Sequence, residues 1–188
     1  MVKLTPDLIE GAGQYINPIR DRELDLRGYK IPVIENLGTT LDQFDTIDFS
    51  DNEIRKLDGF PYLTRVKSLL LNNNRIVRLG EGLELCLPNL HTLVLTNNSL
   101  QELADLEPIT SLKKLTLLSL LHNPVVTKRN YREYVIHKFP NLRYKFICYN
   151  SLSGSNFYYS EFWISRKSSS RKEKLPKLCS RPRRAKPS

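Results

Sequence analysis

Between residues 44 and 125 the apolar positions repeat as one comb, in register with Asn52, Asn74, Asn98 and Asn123. The units read Phe44-x-x-Ile47-x-Phe49-x-x-Asn52-x-Ile54 and Val66-x-x-Leu69-x-Leu71-x-x-Asn74-x-Ile76. Two more follow as Leu90-x-x-Leu93-x-Leu95-x-x-Asn98-x-Leu100 and Leu115-x-x-Leu118-x-Leu120-x-x-Asn123-x-Val125. Each apolar-x-apolar step predicts a short strand, because alternate residues of a strand share a face. Each asparagine falls where the chain turns off that strand and leaves backbone groups without ladder partners. Its amide carries both donors and an acceptor, so these four residues are expected to be structural.

The comb is that of leucine-rich repeats, in which short strands stack in parallel along a solenoid with a leucine column as core. A weaker fifth unit lies upstream, Leu24-x-Leu26 followed by Ile31, with Tyr29 where an asparagine would fall. The predicted fold is an α/β solenoid of about five repeats over residues 23–143, with a parallel concave sheet. Residues 1–22 are expected to form an N-terminal capping helix. Thr5 is its cap, Pro6 its first residue, and Leu8, Ile9, Ala12 and Ile16 fall at helical spacing.

Strand alternation also names the opposite, concave face. It reads Glu23, Asp25 and Arg27, then Thr46, Asp48 and Ser50, then Ser68, Leu70 and Asn72. Thr92, Val94 and Thr96 come next, and Leu117, Ser119 and Leu121 last. Acids gather at the N-terminal end, while Leu70, Val94, Leu117 and Leu121 put apolar side chains where solvent is expected. Such a patch suits a partner with apolar anchors and some lysines, and an amphipathic helix fits that description.

Charge changes the picture only beyond the repeats. Residues 1–143 carry 18 basic and 18 acidic residues, so the net +9 comes from residues 144–188, with 11 basic residues against Glu161 and Glu173. No apolar run has signal-peptide length and none reaches 18 residues, so neither secretion nor a membrane span is expected. Cys86, Cys148 and Cys179 have no short spacing, which points to a reducing compartment without a disulfide framework or metal site. The chemistry of catalysis is not suggested either. His91, His122 and His137 have no carboxylate or cysteine at triad or ligand spacing. Gly80-Glu81-Gly82 has no following lysine-serine pair, and Asp48, Asp51 and Asp58 do not make a calcium loop. The expectation is a non-enzymatic protein without cofactor, metal or small-molecule substrate.

Residues 1–143 closely resemble the A-prime family of the U2 small nuclear ribonucleoprotein. The resemblance rests on Met1-Val2-Lys3-Leu4-Thr5 and on Arg20-Asp21-Arg22-Glu23-Leu24-Asp25-Leu26-Arg27-Gly28-Tyr29-Lys30-Ile31-Pro32. It extends through Asp48-Phe49-Ser50-Asp51-Asn52-Glu53-Ile54, Asn72-Asn73-Asn74-Arg75-Ile76, Leu95-Thr96-Asn97-Asn98-Ser99-Leu100 and Asn123-Pro124-Val125 to Tyr131-Arg132 and Tyr134-Val135-Ile136. It implies a nuclear scaffold of the spliceosome that holds a helix of the B-double-prime RNA-recognition-motif protein in its concave face. That pair binds U2 small nuclear RNA, with the partner doing most of the base recognition; this chain has no aromatic RNA-recognition motif of its own. The alternative reading is a leucine-rich-repeat adaptor for another protein, without an RNA partner.

After Arg143 the chain departs from that family, which leaves the C-terminal cap truncated. Residues 144–165 hold eight of the 17 aromatic residues and show no helical period. Residues 166–188 have the composition of a disordered basic tail, with Arg166, Lys167, Arg171, Lys172, Arg181, Arg183 and Arg184 as candidates for RNA-backbone contact or nuclear localisation.

Overall fold

Two side chains per strand, one residue apart, turn to the same side and stack from repeat to repeat. Leu24 and Leu26, Ile47 and Phe49, Leu69 and Leu71, Leu93 and Leu95, and Leu118 and Leu120 are all buried to within 3% exposure. Each such burial stabilises the fold by roughly 1.5–3 kcal/mol before chain entropy is set against it. This is a computed structural model, and it describes residues 2–149 and 159–164.

The chain opens with the helix α1 (Pro6–Gly11) and the strand β1 (Gly13–Ile16). Strands β2 (Arg22–Asp25), β3 (Thr46–Asp48), β4 (Lys56–Leu57), β5 (Ser68–Leu70) and β6 (Arg78–Leu79) follow. Next come helix α2 (Leu83–Cys86), β7 (Thr92–Val94), β8 (Leu117–Ser119) and helix α3 (Tyr131–Lys138). The last elements are β9 (Tyr144–Tyr149) and β10 (Tyr159–Ile164). The main sheet has the order β1-β2-β3-β5-β7-β8-β9-β10, while β4 and β6 form a separate parallel pair. From β2 to β9 every pairing is parallel, and antiparallel strands β1 and β10 close the two ends. The returning chain between strands runs through short helices and 3₁₀ turns such as Leu103–Ser111 and Pro124–Thr127.

The asparagines explain how one repeat holds the next. The Asn52 amide donates to Leu26 O at 2.7 Å and to Phe49 O at 2.9 Å, and its oxygen accepts from Ile31 N at 2.9 Å. Asn74 does the same for Phe49 O and Ile54 N, Asn98 for Leu71 O and Ile76 N, and Asn123 for Leu95 O and Leu100 N. Every asparagine therefore serves the turn of the repeat before it. That is why the first repeat can carry Tyr29 instead: no earlier turn needs serving, and its own is satisfied by Asn52.

The residue before each ladder position must enter the left-handed region. Gly28, Asp51, Asn73, Asn97 and His122 have φ of 75°, 61°, 54°, 55° and 57°. Glycine takes this conformation without steric cost, and Asn, Asp and His are the side-chain-bearing residues found there most often. Asn73 donates to Asp51 Oδ1 at 2.7 Å and Asn97 to Asn73 Oδ1 at 3.0 Å, so a second, exposed ladder runs beside the buried one.

The N-terminal cap differs from the helix expected over residues 1–22. Thr5 Oγ1 accepts from Leu8 N at 3.3 Å and Pro6 begins the helix, but α1 ends at Gly11. Ala12 is already extended, with ψ 158°. Glycines at 11 and 13 weaken a helix by about 1 kcal/mol each relative to alanine. Leu4, Ile9 and Ala12 seal the end of the column, whereas Ile16, on β1, is 65% exposed. At the other end Tyr131, Val135, Phe139 and Leu142 are buried against the last repeat. The aromatic segment assigned to residues 144–165 holds two strands, and β9 pairs with β8 from Leu117–Tyr144 to Ser119–Phe146.

A charged cluster pins the rim where the strands begin. Asp45 is buried and contacts Arg65 at 3.0 Å, Lys67 at 3.1 Å and Arg22 N at 3.1 Å. Burial pushes its carboxyl up, but the Arg65 guanidinium, the Arg22 N–H and the Lys67 ammonium outweigh that and hold it at about 2.

Three outcomes follow from these contacts. Asn74→Ala should lower stability by roughly 1–3 kcal/mol in a denaturant melt, since it orphans buried carbonyls and an N–H. Asn72→Ala, which loses only a 3.1 Å bond to Ser50 Oγ, should cost much less. Second, the stability that Asp45 contributes is complete above the ordinary carboxylate range and fades as pH falls towards 2. Asp45→Asn should therefore melt lower than wild type at pH 7, by up to about 2 kcal/mol, with the two curves converging near pH 2. Third, deleting residues 144–188 should lower the melting temperature by several degrees or cause aggregation, because it leaves β8 an open edge. Deleting 166–188 alone, which removes little apolar surface, should leave the melt unchanged.

Candidate functional site

Because the comb residues fill the core, the intervening side chains of the same strands lie on the concave face in three rows. Strand register sets the first row as Glu23, Thr46, Ser68, Thr92 and Leu117. The second is Asp25, Asp48, Leu70, Val94 and Ser119. Just past the strands, backbone bonds such as Gly28 N to Ser50 O, Asp51 N to Asn72 O and Asn97 N to Leu121 O continue the ladder. They align Arg27, Ser50, Asn72, Thr96 and Leu121 as the third row.

Exposure does not follow the simple alternation. Glu23, Thr46, Asp48, Ser50 and Ser119 are buried, a correction to the solvent-facing positions predicted for them. Strands lie about 4.8 Å apart, so in-register side chains crowd their neighbours. Asn72 bonds to Ser50 and Thr96 to Ser119 across that gap, and within one repeat Ser50 N donates to Asp48 Oδ1 at 2.8 Å. Asp25, Ser68, Leu70, Asn72, Thr92, Val94, Thr96, Leu117 and Leu121 are half-buried, and Arg27 is exposed. The face thus offers an acid pair, Asp25 and Asp48, at one end. Leu70, Val94, Leu117 and Leu121 lie towards the other.

The acidic end is internally wired. Arg27 Nε meets Asp25 Oδ1 at 2.9 Å and Asp48 Oδ2 at 3.6 Å. The Arg27 hydrogen bond holds the Asp25 carboxyl below its usual range. Burial raises that of Asp48, against the Ser50 hydrogen bonds and Arg27, and the neighbouring Asp25 raises it further. Glu23 is bonded on both oxygens, by Tyr15 Oη at 2.9 Å and Asn17 Nδ2 at 2.9 Å. The sequence reading missed Tyr15 and Asn17. Their placement depends on β1 being an antiparallel strand, and the glycines at 11 and 13 were the one signal that a helix stops before it.

The asparagine ladder Asn52, Asn74, Asn98 and Asn123 is buried behind this face and bonds backbone only, which keeps it out of the groove. Among the described residues no three His, Cys, Asp or Glu side chains come together as a metal site, and no helix is long and apolar enough to cross a membrane. His91 precedes β7, His122 follows β8 and His137 lies on α3, so they sit on separate elements. The basic candidates Arg166, Lys167, Arg171, Lys172, Arg181, Arg183 and Arg184 lie outside the described residues.

Comparison with known proteins agrees with this architecture. A family model described as leucine-rich repeat matches residues 1–151. The human U2 small nuclear ribonucleoprotein A′ is 71% identical over 143 residues, or 76% of this chain and 56% of that protein. The Arabidopsis thaliana protein of the same name is 61% identical over 143 residues, covering 57% of its own length. The chain therefore spans little more than half the length of these relatives. A crystal structure of the Drosophila melanogaster SNF/U2A′ complex contains a chain 66% identical to this one, with a TM-score of 0.77. The match covers 78% of this chain and 84% of that one. The repeat region described above belongs to the leucine-rich-repeat family of U2 small nuclear ribonucleoprotein A′ proteins, and the chain beyond it diverges.

Proposed function

We propose that this chain is a non-enzymatic scaffold of the U2 small nuclear ribonucleoprotein. In this reading its concave face holds an amphipathic helix of an RNA-recognition-motif protein of the B-double-prime type. U2 small nuclear RNA is bound mainly through that partner, and the complex acts in the nucleus in pre-mRNA splicing. The observation that carries the reading is the second row of the sheet, which passes from Asp25 and Asp48 to Leu70 and Val94. A helix with a basic end and two or three apolar anchors complements that gradient. Support comes from the relative solved in complex with SNF, which is 66% identical to this chain. Apolar residues on a solvent-facing sheet are otherwise a cost to the free protein, and a buried partner removes it.

Leu70→Glu combined with Val94→Glu should reduce capture of the B-double-prime protein by at least two orders of magnitude. Its melt should fall only slightly, because both side chains are half-exposed in the free domain and charge becomes expensive only against an apolar partner. Titration of each purified variant with the partner, beside its melting curve, measures both. Wild-type affinity in the double variant would reject the groove. U2 RNA in the pull-down separates this reading from a protein adaptor without RNA.

The raised Asp48 carboxyl gives a second outcome, with the sign opposite to that of Asp45. A raised folded-state pKa means that ionised Asp48 costs stability above its ordinary range, and that the cost disappears as pH falls. Asp48→Asn should therefore melt no lower than wild type at pH 7. It should still weaken the partner complex several-fold, with the loss shrinking as salt is raised. A marked drop in melting temperature at pH 7 would show that the charge stabilises the free domain.

A further inference from the structure

We infer that the groove continues past the repeats onto β1, where Tyr15 with Asp25, Asp48 and Thr46 forms a corner that takes a lysine or arginine side chain of the partner. This rests on the concave-face reading above and adds a residue class and a position to it. The pairing of Tyr15 with Glu23 and of Gly13 with Asp25 puts the Tyr15 side chain on the same face as the acids. Tyr15 is 40% exposed. Its hydroxyl is anchored to Glu23 Oε1 at 2.9 Å, and Asn17 occupies Glu23 Oε2, so Glu23 is consumed in positioning the ring. Gly13 keeps the approach open, because a Cβ there would already touch Asp25 Cβ at 3.4 Å.

The corner carries more negative than positive charge, with Asp25 and Asp48 against Arg27 alone. Asp25 and Asp48 share the single guanidinium of Arg27, whose Nε lies 3.6 Å from Asp48. Thr46, in register with Glu23 and one row from Asp48, is 2% exposed, and its Oγ1 has no hydrogen-bond partner among the described residues. Groups that only donate, ammonium with three N–H and guanidinium with five, are the complement of such a set. An aromatic face beside carboxylates adds cation–π attraction to the ion pair. An acidic side chain would add to the negative charge there, and an apolar one would leave Asp48 with only Ser50 N and the distant Arg27 on burial, which disfavours both.

The test replaces position 15 in the full chain and titrates each variant with the purified B-double-prime-type protein. Tyr15→Phe keeps the ring and should bind within about twofold of wild type, whereas Tyr15→Ala should lose ~5–10-fold. Phenylalanines carrying one, two and three fluorines at position 15 should weaken binding stepwise, because fluorine drains the ring face without changing its size. Equal affinity across the fluorinated series would overturn the cationic ligand. Equal losses for Phe and Ala that track their melting temperatures would show that Tyr15 acts only by holding Glu23, and would overturn the contact. If the Tyr15 series is flat while Leu70→Glu with Val94→Glu abolishes binding, the corner fails and the groove stands. If that double variant still binds, the groove itself fails.

Discussion

One asparagine side chain per repeat, bonded to the backbone of the repeat before it, is the constraint on which the other features depend. A parallel solenoid turns its chain sharply after every strand, and those turns are buried, so their carbonyls and N–H groups cannot reach water. Asn52, Asn74, Asn98 and Asn123 resolve this by reaching across the inter-strand gap. The consequence is directional: removing one asparagine damages the preceding turn as well as its own. It also fixes the register, because a one-residue slip would take the amide out of range of all its partners. With register fixed, the leucine column and the three rows of the concave face follow without further specification.

The same rigidity permits an unfavourable surface on the other side of the sheet. Asp25 and Asp48 stand on adjacent strands in register, and burial raises the Asp48 carboxyl. Arg27 relieves only part of this from its exposed position. A loose sheet would relax by splaying the two acids apart. This one cannot, because Leu24, Leu26, Ile47 and Phe49 lock the two strands from behind. Like charges and half-buried apolar side chains are thereby kept together on one face, at a cost that the proposed partner would remove.

How much of this the sequence disclosed varies with the kind of force involved. The comb, the ladder and the direction each side chain faces were legible, since period and turn chemistry are local properties. The order of acid and apolar positions along the concave face was legible for the same reason. Burial of Glu23, Thr46, Asp48, Ser50 and Ser119 was not, because it arises from neighbours some two dozen residues away pressing in from adjacent strands. The extent of α1 was misread because Leu8, Ile9, Ala12 and Ile16 satisfy a helical period that Gly11 and Gly13 interrupt. Tyr15 and Asn17 were lost with it, as an exposed tyrosine acquires meaning only once its strand partner is known.

The two ends of the sheet show that closing a solenoid is a less exacting requirement than building its repeats. At one end an antiparallel strand, β1, covers β2 with four residues that are all exposed. At the other, β9 continues the parallel ladder from β8, beginning at Tyr144, and antiparallel β10 forms the edge. What an edge strand must supply is a row of backbone donors and acceptors, and nearly any sequence without proline can do that. A repeat, in contrast, must supply a leucine pair, a left-handed residue and an asparagine at fixed spacing. Strong identity to relatives through the repeats, and divergence beyond them, is therefore compatible with one continuous sheet. The sequence constraint is heavier in the repeats than in the segment that continues the sheet.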